Sequence, residues 1–178
     1  EHWANDFIDE YYQKRAPVFT ARVNGLPYAW VYKKPALTVA LPELLPGTAV
    51  IAELPATRQG LSRVDVFTAT YNGRATAGRM RLAVRRQPHG ADLRSAVRDV
   101  HTLPDNGYAA FTFAPVEDSA EKLLYVVLTT DGTAPKNAPT VRGAPQEEGR
   151  RYALVHGEIT EGTYAAKQKP GSIGLRWF

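Results

Sequence analysis

The 178-residue sequence predicts an all-β protein, a sandwich or barrel preceded by a short helix and a β-hairpin, on three observations. From Pro35 onward, apolar and β-branched runs are punctuated by turn residues about every ten positions. In Arg79 to Arg86, Met80, Leu82 and Val84 alternate with Arg79, Arg81 and Arg85, which makes one core face and one wet face. Leu123 to Leu128 is apolar at every position, as befits a strand in the middle of a sheet.

Taken in order, Trp3, Phe7, Ile8, Tyr11 and Tyr12 recur at helical spacing and predict an amphipathic helix over 3–14, stopped by Pro17. Val18 to Val23 and Leu26 to Tyr32 flank Asn24-Gly25, the strongest short-range hairpin signal. Strands are expected near 37–40, 48–54, 62–71, 79–86, 108–113, 123–130, 152–156 and 173–177. Between them lie turn residues such as Asn72-Gly73, Pro104-Asp105-Asn106-Gly107 and Asp131-Gly132. No intervening segment shows helical periodicity, and 136–150 reads as the most mobile loop. The domain boundary falls at 35/36, with the helix and hairpin before it and the sandwich at 36–178.

Composition narrows the function classes. A hydrophobic fraction of 44% and a charged fraction of 22% belong to a globular chain. The net charge of +4 is scattered among 18 acidic residues rather than gathered in a stripe, which argues against nucleic acid. Without cysteine there is no disulfide, thiolate metal site or thiol nucleophile. No apolar run reaches the ~20 residues of a membrane span, and the first residues do not read as a signal peptide.

Catalytic constellations are weak. Ser119 with Asp118 and His89, His101 or His156 lacks a nucleophile elbow, and the histidines have no metal-ligand spacing. Asp105 with Asn106, and Asp131 with Asn137, offer calcium-type oxygens, but Asx-turns explain them better. Glu53 with Asp65, and Glu117 with Asp118, are carboxylate pairs of unknown separation. Neither catalytic residues nor cofactors are expected. Sugar binding needs a flat ring beside hydrogen-bonding side chains. Tyr71, Tyr125 and Trp177 supply rings here, with Tyr108 and Tyr152 as further candidates, and Asp65, Asn72, Arg79 and Arg81 supply polar groups. Trp3 and Trp30 read as packing residues.

Two stretches resemble known families. Phe7 to Tyr12 with Pro17 to Tyr32, containing Gly25-Leu26-Pro27-Tyr28-Ala29-Trp30-Val31-Tyr32, resembles the soluble C-terminal segment of bacterial polytopic glycosyltransferases of the protein-mannosyltransferase type. Gln59 to Tyr71, Asp92-Leu93-Arg94, Leu103 to Asn106, Phe111 to Ser119, Lys122 to Tyr125 and the closing Pro170 to Phe178 resemble the jelly-roll accessory domain found beside such enzymes. The resemblance implies a jelly-roll β-sandwich of the carbohydrate-binding-module type. It further implies a non-catalytic, extracytoplasmic appendage that binds carbohydrate and is tethered by a membrane portion of the parent enzyme outside this chain. The alternative is a structural or protein-interaction sandwich with no sugar ligand.

Overall fold

The computed structural model describes residues 19–24, 26–31, 37, 39–144 and 150–178. The chain divides into two compact units, Glu1–Ala36 and Leu37–Phe178. In the first, β1 (Phe19–Val23) and β2 (Leu26–Val31) form an antiparallel hairpin. Val23 pairs with Leu26, so two residues make the turn, and Asn24 takes the positive φ of 51° that such a turn requires. The helix expected over 3–14 lies outside the described residues, as does Trp3.

The second unit is a two-sheet antiparallel sandwich. Its strands are β3 (Val39–Ala40), β4 (Thr48–Ala56), β5 (Leu61–Ala69), β6 (Arg79–Arg85), β7 (Asp92–Asp99), β8 (Gly107–Val116), β9 (Lys122–Asp131) and β10 (Thr140–Ala144). After them come β11 (Arg151–His156), helix α1 (Glu161–Lys167), β12 (Gln168–Pro170), β13 (Ser172–Ile173) and β14 (Leu175–Trp177). Sheet I runs β12-β11-β4-β9-β6-β7, and sheet II is built from β3, β10, β5 and β8 with the β13–β14 segment inserted. Counted from β3, the first eight strands lie in the orders 1-8-3-6 and 2-7-4-5, the double Greek key of a jelly roll.

Alternation places the core between the sheets. Val50, Leu54, Leu82 and Leu128 of sheet I meet Val64, Val66, Phe111 and Ile173 of sheet II, all at most 2% exposed. Each such side chain contributes roughly 1.5–3 kcal/mol of burial. The both-faces-apolar run in β9 is central, as expected, because sheet I is covered on its other side too. Ala49, Ile51, Ala83, Val127, Ala153 and Val155 pack there with Tyr164 of α1.

Three elements correct the sequence reading. The stretch 161–167 is helical where no helix is expected. Its seven residues carry one buried side chain, Tyr164, too few to show a period. A capping box holds its start: the Thr160 hydroxyl accepts from the Thr163 N–H, and the Thr163 hydroxyl accepts from the Thr160 N–H. Strand β7 has no counterpart among the expected strands. Its residues Arg94 and Arg98 point inward yet bond outward across the open edge of the sandwich. Arg94 donates to the carbonyls of Ala114 and Pro115 at 2.9 Å each, and Arg98 donates to that of Ala110 at 3.2 Å. The edge strand β8 thereby has carbonyls occupied that would otherwise template another strand. Finally, the loop read as most mobile contains β10, four of whose five residues are buried.

The closing segment organises sheet II. β13 pairs with β10 and β14 pairs with β5, and the switch occurs at Gly174. Its N–H donates to the Arg142 carbonyl at 2.8 Å, and its carbonyl accepts from the Phe67 N–H at 2.7 Å. A Cβ at Gly174 would sit 2.7 Å from the Phe67 Cβ and 2.8 Å from the Leu37 Cδ1. Gly174→Ala is therefore expected to destabilise the domain by about 1–3 kcal/mol through overpacking. Gly162→Ala, within α1 and meeting only the Thr160 hydroxyl at 3.9 Å, should stabilise it by about 0.5–1 kcal/mol. Urea denaturation of the two variants checks the opposite signs.

Tyr164 offers a second test of the packing of α1. Its hydroxyl is buried without a hydrogen bond. Burial first, and then the charge of Glu53, push its pKa up to about 12. Because the folded value lies above the unfolded value of about 10, the contribution is complete below pH 10 and is lost as pH rises towards 12. Tyr164→Phe should be neutral or stabilising at pH 7 and should flatten that alkaline loss, as read by thermal melts across the pH range.

Candidate functional site

The jelly-roll topology gathers four connections at one end of the sandwich: 41–47, 70–78, 100–106 and 132–139. Anchoring begins with the buried Leu44. Its N–H donates to the Pro139 carbonyl at 2.9 Å, and its own carbonyl accepts the hydroxyls of Thr130 and Thr133 at 2.6 and 3.0 Å. That fixes the neighbouring Glu43. One Glu43 oxygen accepts the Lys136 N–H at 2.8 Å, and the other pairs with Arg74 at 3.3 Å.

After β5 the chain turns through three consecutive left-handed residues, Tyr71 (φ 55°), Asn72 (φ 60°) and Gly73 (φ 76°). Glycine adopts this conformation freely and asparagine tolerates it, whereas Tyr71 carries a steric penalty of about 1–2 kcal/mol. Asp105 offsets it. Its carboxylate accepts the N–H groups of Thr70, Tyr71 and Asn72 at 2.8, 2.9 and 3.0 Å. A second brace is Asn137, whose Oδ1 accepts the Thr76 N–H at 2.9 Å. Lys136 (φ 66°) and Asn106 (φ 51°) are left-handed as well, so most of the strained backbone among the described residues lies at this end.

The turn presents the Tyr71 ring, 39% exposed. The Arg74 guanidinium lies 4.9 Å from its centroid, and the Tyr71 hydroxyl accepts from Thr140 Oγ1 at 3.3 Å. The exposed Asn72 and Arg74 flank it. The arrangement is a rigid aromatic surface with amide and guanidinium donors and a carboxylate acceptor within one loop cluster, the chemistry that holds a polyhydroxylated ring.

The seven residues singled out from the sequence do not converge. Tyr71 and Asn72 share the loop end. Arg79, Arg81 and Tyr125 lie on the outer face of sheet I. Arg79 pairs with Asp131 at 3.2 Å, and Arg81 pairs with Asp92, which also holds Arg85 at 2.6 Å. Burial raises the Asp92 pKa, but the bonds from Arg81 and Arg85 outweigh it and hold the carboxyl below its usual range. Tyr125 meets Tyr164 edge-on at 5.7 Å. Asp65 is buried on the outer face of sheet II and held by both arms of Arg63 at 2.7 and 2.9 Å. Trp177 pairs with the inward-facing Val64 and packs against the core, with the Arg150 guanidinium 4.8 Å from its ring centroid. Of the further rings, Tyr152 is buried and Tyr108 stands edge-on to Phe67 at 5.0 Å.

The weaker constellations also have definite places. Ser119 is fully buried. Its hydroxyl donates to the Arg58 carbonyl at 2.6 Å and accepts the Leu61 N–H at 3.1 Å, so it pins the turn before β9. Asp118 pairs with Arg86 and Lys122, and His156 meets the Thr48 hydroxyl at 3.1 Å. Glu53 and Asp65 occupy opposite outer faces of the sandwich and cannot act on one bond. Among the described residues no group of His, Cys, Asp and Glu is arranged to hold a metal ion. Sequence reasoning missed Glu43 and Arg74, and it read Asp105 as a local turn former. Tyr71, Asn72-Gly73 and the Pro-Asp-Asn-Gly signature at 104–107 were the features that pointed to that end of the molecule. No protein-family model matches the chain, and no curated protein matches it.

The N–H groups of Asn72, then Thr70, hold the Asp105 carboxyl below its usual range. A depressed folded value means that its contribution is present above the ordinary aspartate pKa of about 3.9 and is lost as pH falls through the folded value. Side-chain carboxyl NMR should show Asp105 titrating below free aspartate. Asp105→Asn should loosen the 70–73 turn, seen as faster amide exchange at Tyr71 and Asn72.

Proposed function

We propose that the 37–178 sandwich is a non-catalytic carbohydrate-binding domain whose sugar site is the loop end around Tyr71. The observation that carries the reading is the left-handed turn at Tyr71 to Gly73, tied by three hydrogen bonds to Asp105, which holds an exposed ring in one orientation. Preorganisation of this kind spares a ligand the cost of ordering the loop. Asn72, Arg74 and Glu43 supply donors and an acceptor around the ring for hydroxyl recognition.

The same reading puts the domain on the extracytoplasmic side, as an accessory part of a membrane glycosyltransferase that holds a glycan acceptor or surface polysaccharide near the enzyme. This part rests on the resemblance of the Asn24-Gly25 hairpin and of the Phe111 to Ser119 stretch. No helix among the described residues is long and apolar enough to cross a membrane.

The test is titration of the 1–178 chain with a panel of neutral and acidic glycans, followed by intrinsic fluorescence and calorimetry. At least one glycan should bind saturably, and Tyr71→Ala should weaken that binding about tenfold, or about 1.4 kcal/mol, with little change in melting temperature. Absence of any saturable response up to millimolar glycan overturns the proposal.

A further inference from the structure

Among the described residues six guanidiniums, from Arg63 on Asp65 to Arg86 on Asp118, meet carboxylates. Arg142 and Arg176 do not. Arg142 Nε is buried without a hydrogen-bond partner. Arg176 is exposed, and its guanidinium lies 3.8 Å from the Tyr108 ring centroid. Neither feature satisfies the fork of donors that a guanidinium carries.

The two arginines share a surface. Arg142 comes directly after the inward-facing Val141 on β10 and so projects from the outer face of sheet II. Arg176 pairs with Asp65 on the same face. Their strands are neighbours, because the Arg142 carbonyl accepts the N–H of Gly174, two residues before Arg176. The Cα atoms are thus offset by about 5 Å across the strands and about 7 Å along them. Two long side chains span that interval readily.

The carboxylate next to Arg176 is bonded by another guanidinium. Both Asp65 oxygens are taken by Arg63, whose pKa this bonding, then the attraction of the charge, raises. In a domain rich in ion pairs, two guanidiniums with unused donors therefore lie side by side. Tyr108 and Phe67, packed edge-on at 5.0 Å, stiffen the surface beneath Arg176.

Building on the carbohydrate reading, we propose that Arg142 and Arg176 bind the anionic group of an acidic polysaccharide, a carboxylate or sulfate ester, on the outer face of sheet II. Planar guanidiniums engage such oxyanions through paired, charge-assisted hydrogen bonds. The net charge of +4 favours approach of a polyanion.

The experiment uses the 1–178 chain in affinity electrophoresis and calorimetry with four probes: polygalacturonate, dextran sulfate, unmodified dextran, and vesicles containing phosphatidylglycerol. An acidic polymer should bind and unmodified dextran should not displace it. Arg142→Gln and Arg176→Gln should each weaken binding about tenfold. Arg142→Lys, which keeps charge but not the fork, should fall between wild type and Arg142→Gln. Arg79→Gln, whose partner is Asp131, should leave binding unchanged. Melting curves report folding, and the exposed Arg176→Gln keeps the test valid where Arg142→Gln misfolds. Equal weakening by Arg79→Gln and Arg176→Gln would reveal diffuse charge attraction and overturn the inference. So would retention on vesicles without retention by either polymer. Binding of a neutral glycan that depends on Tyr71, with no preference for acidic polymer, would overturn this inference and leave the broader reading standing. Silence from every glycan would remove both.

Discussion

Sheet II depends on the backbone of one residue. Gly174 donates to β10 and accepts from β5, so the last segment of the chain is wedged between two strands that pair directly only at 140–141 and 68–69. A side chain there would meet Phe67 and Leu37 within 3 Å, so the wedge requires glycine for space rather than for an unusual dihedral angle. Along the last six residues the wedge imposes a division of labour. Ile173 and Trp177 go inward to the core, while Arg176 goes outward beside Asp65. Had β10 simply continued along β5, the outer face would lack Arg176 and the core would lack Ile173.

Sheet I solves the opposite problem. Its central strands are apolar on both sides, which needs a second cover, and α1 supplies it through little more than Tyr164. Beyond the reach of that helix the outer face turns ionic, with Arg81 and Arg85 sharing Asp92 and Arg79 on Asp131. Pairs this exposed contribute little stability each. They offset one another in part, three arginines against two carboxylates.

Legibility in the sequence tracks how locally each feature is determined. β6 and β9 are readable because burial alternates, or fails to alternate, within the strand itself. β7 is not, because Arg94 and Arg98 stand at inward positions. Their stems line the core edge while their guanidiniums reach the β8 carbonyls, so a residue counted as polar does an inward-facing job. β10 is hidden for another reason: each of its five residues pairs with strands remote in sequence, and Gly143 and Ala144 carry no β signal of their own. At the loop end, Tyr71 and Asn72 are visible as a ring and a turn residue. The carboxylate that holds their turn, Asp105, comes from 33 to 35 residues away, and Glu43 reaches Lys136 across 93. No local pattern encodes such contacts.

The loop end and the outer face of sheet II are structurally continuous, and this bears on how one extended ligand would meet both. Thr140 donates its hydroxyl to Tyr71 and stands two residues before Arg142 on β10, on the same outward side. The outward row therefore runs from the Tyr71 ring through Thr140 to Arg142, and then across Gly174 to Arg176. Two β residues advance the row by about 7 Å. The two ends are held differently. The ring end is tied by Asp105 through three backbone bonds, whereas Arg142 and Arg176 meet no carboxylate among the described residues. In the proposed reading, the held aromatic end would set the register of such a ligand and the two guanidiniums would meet its anionic substituents.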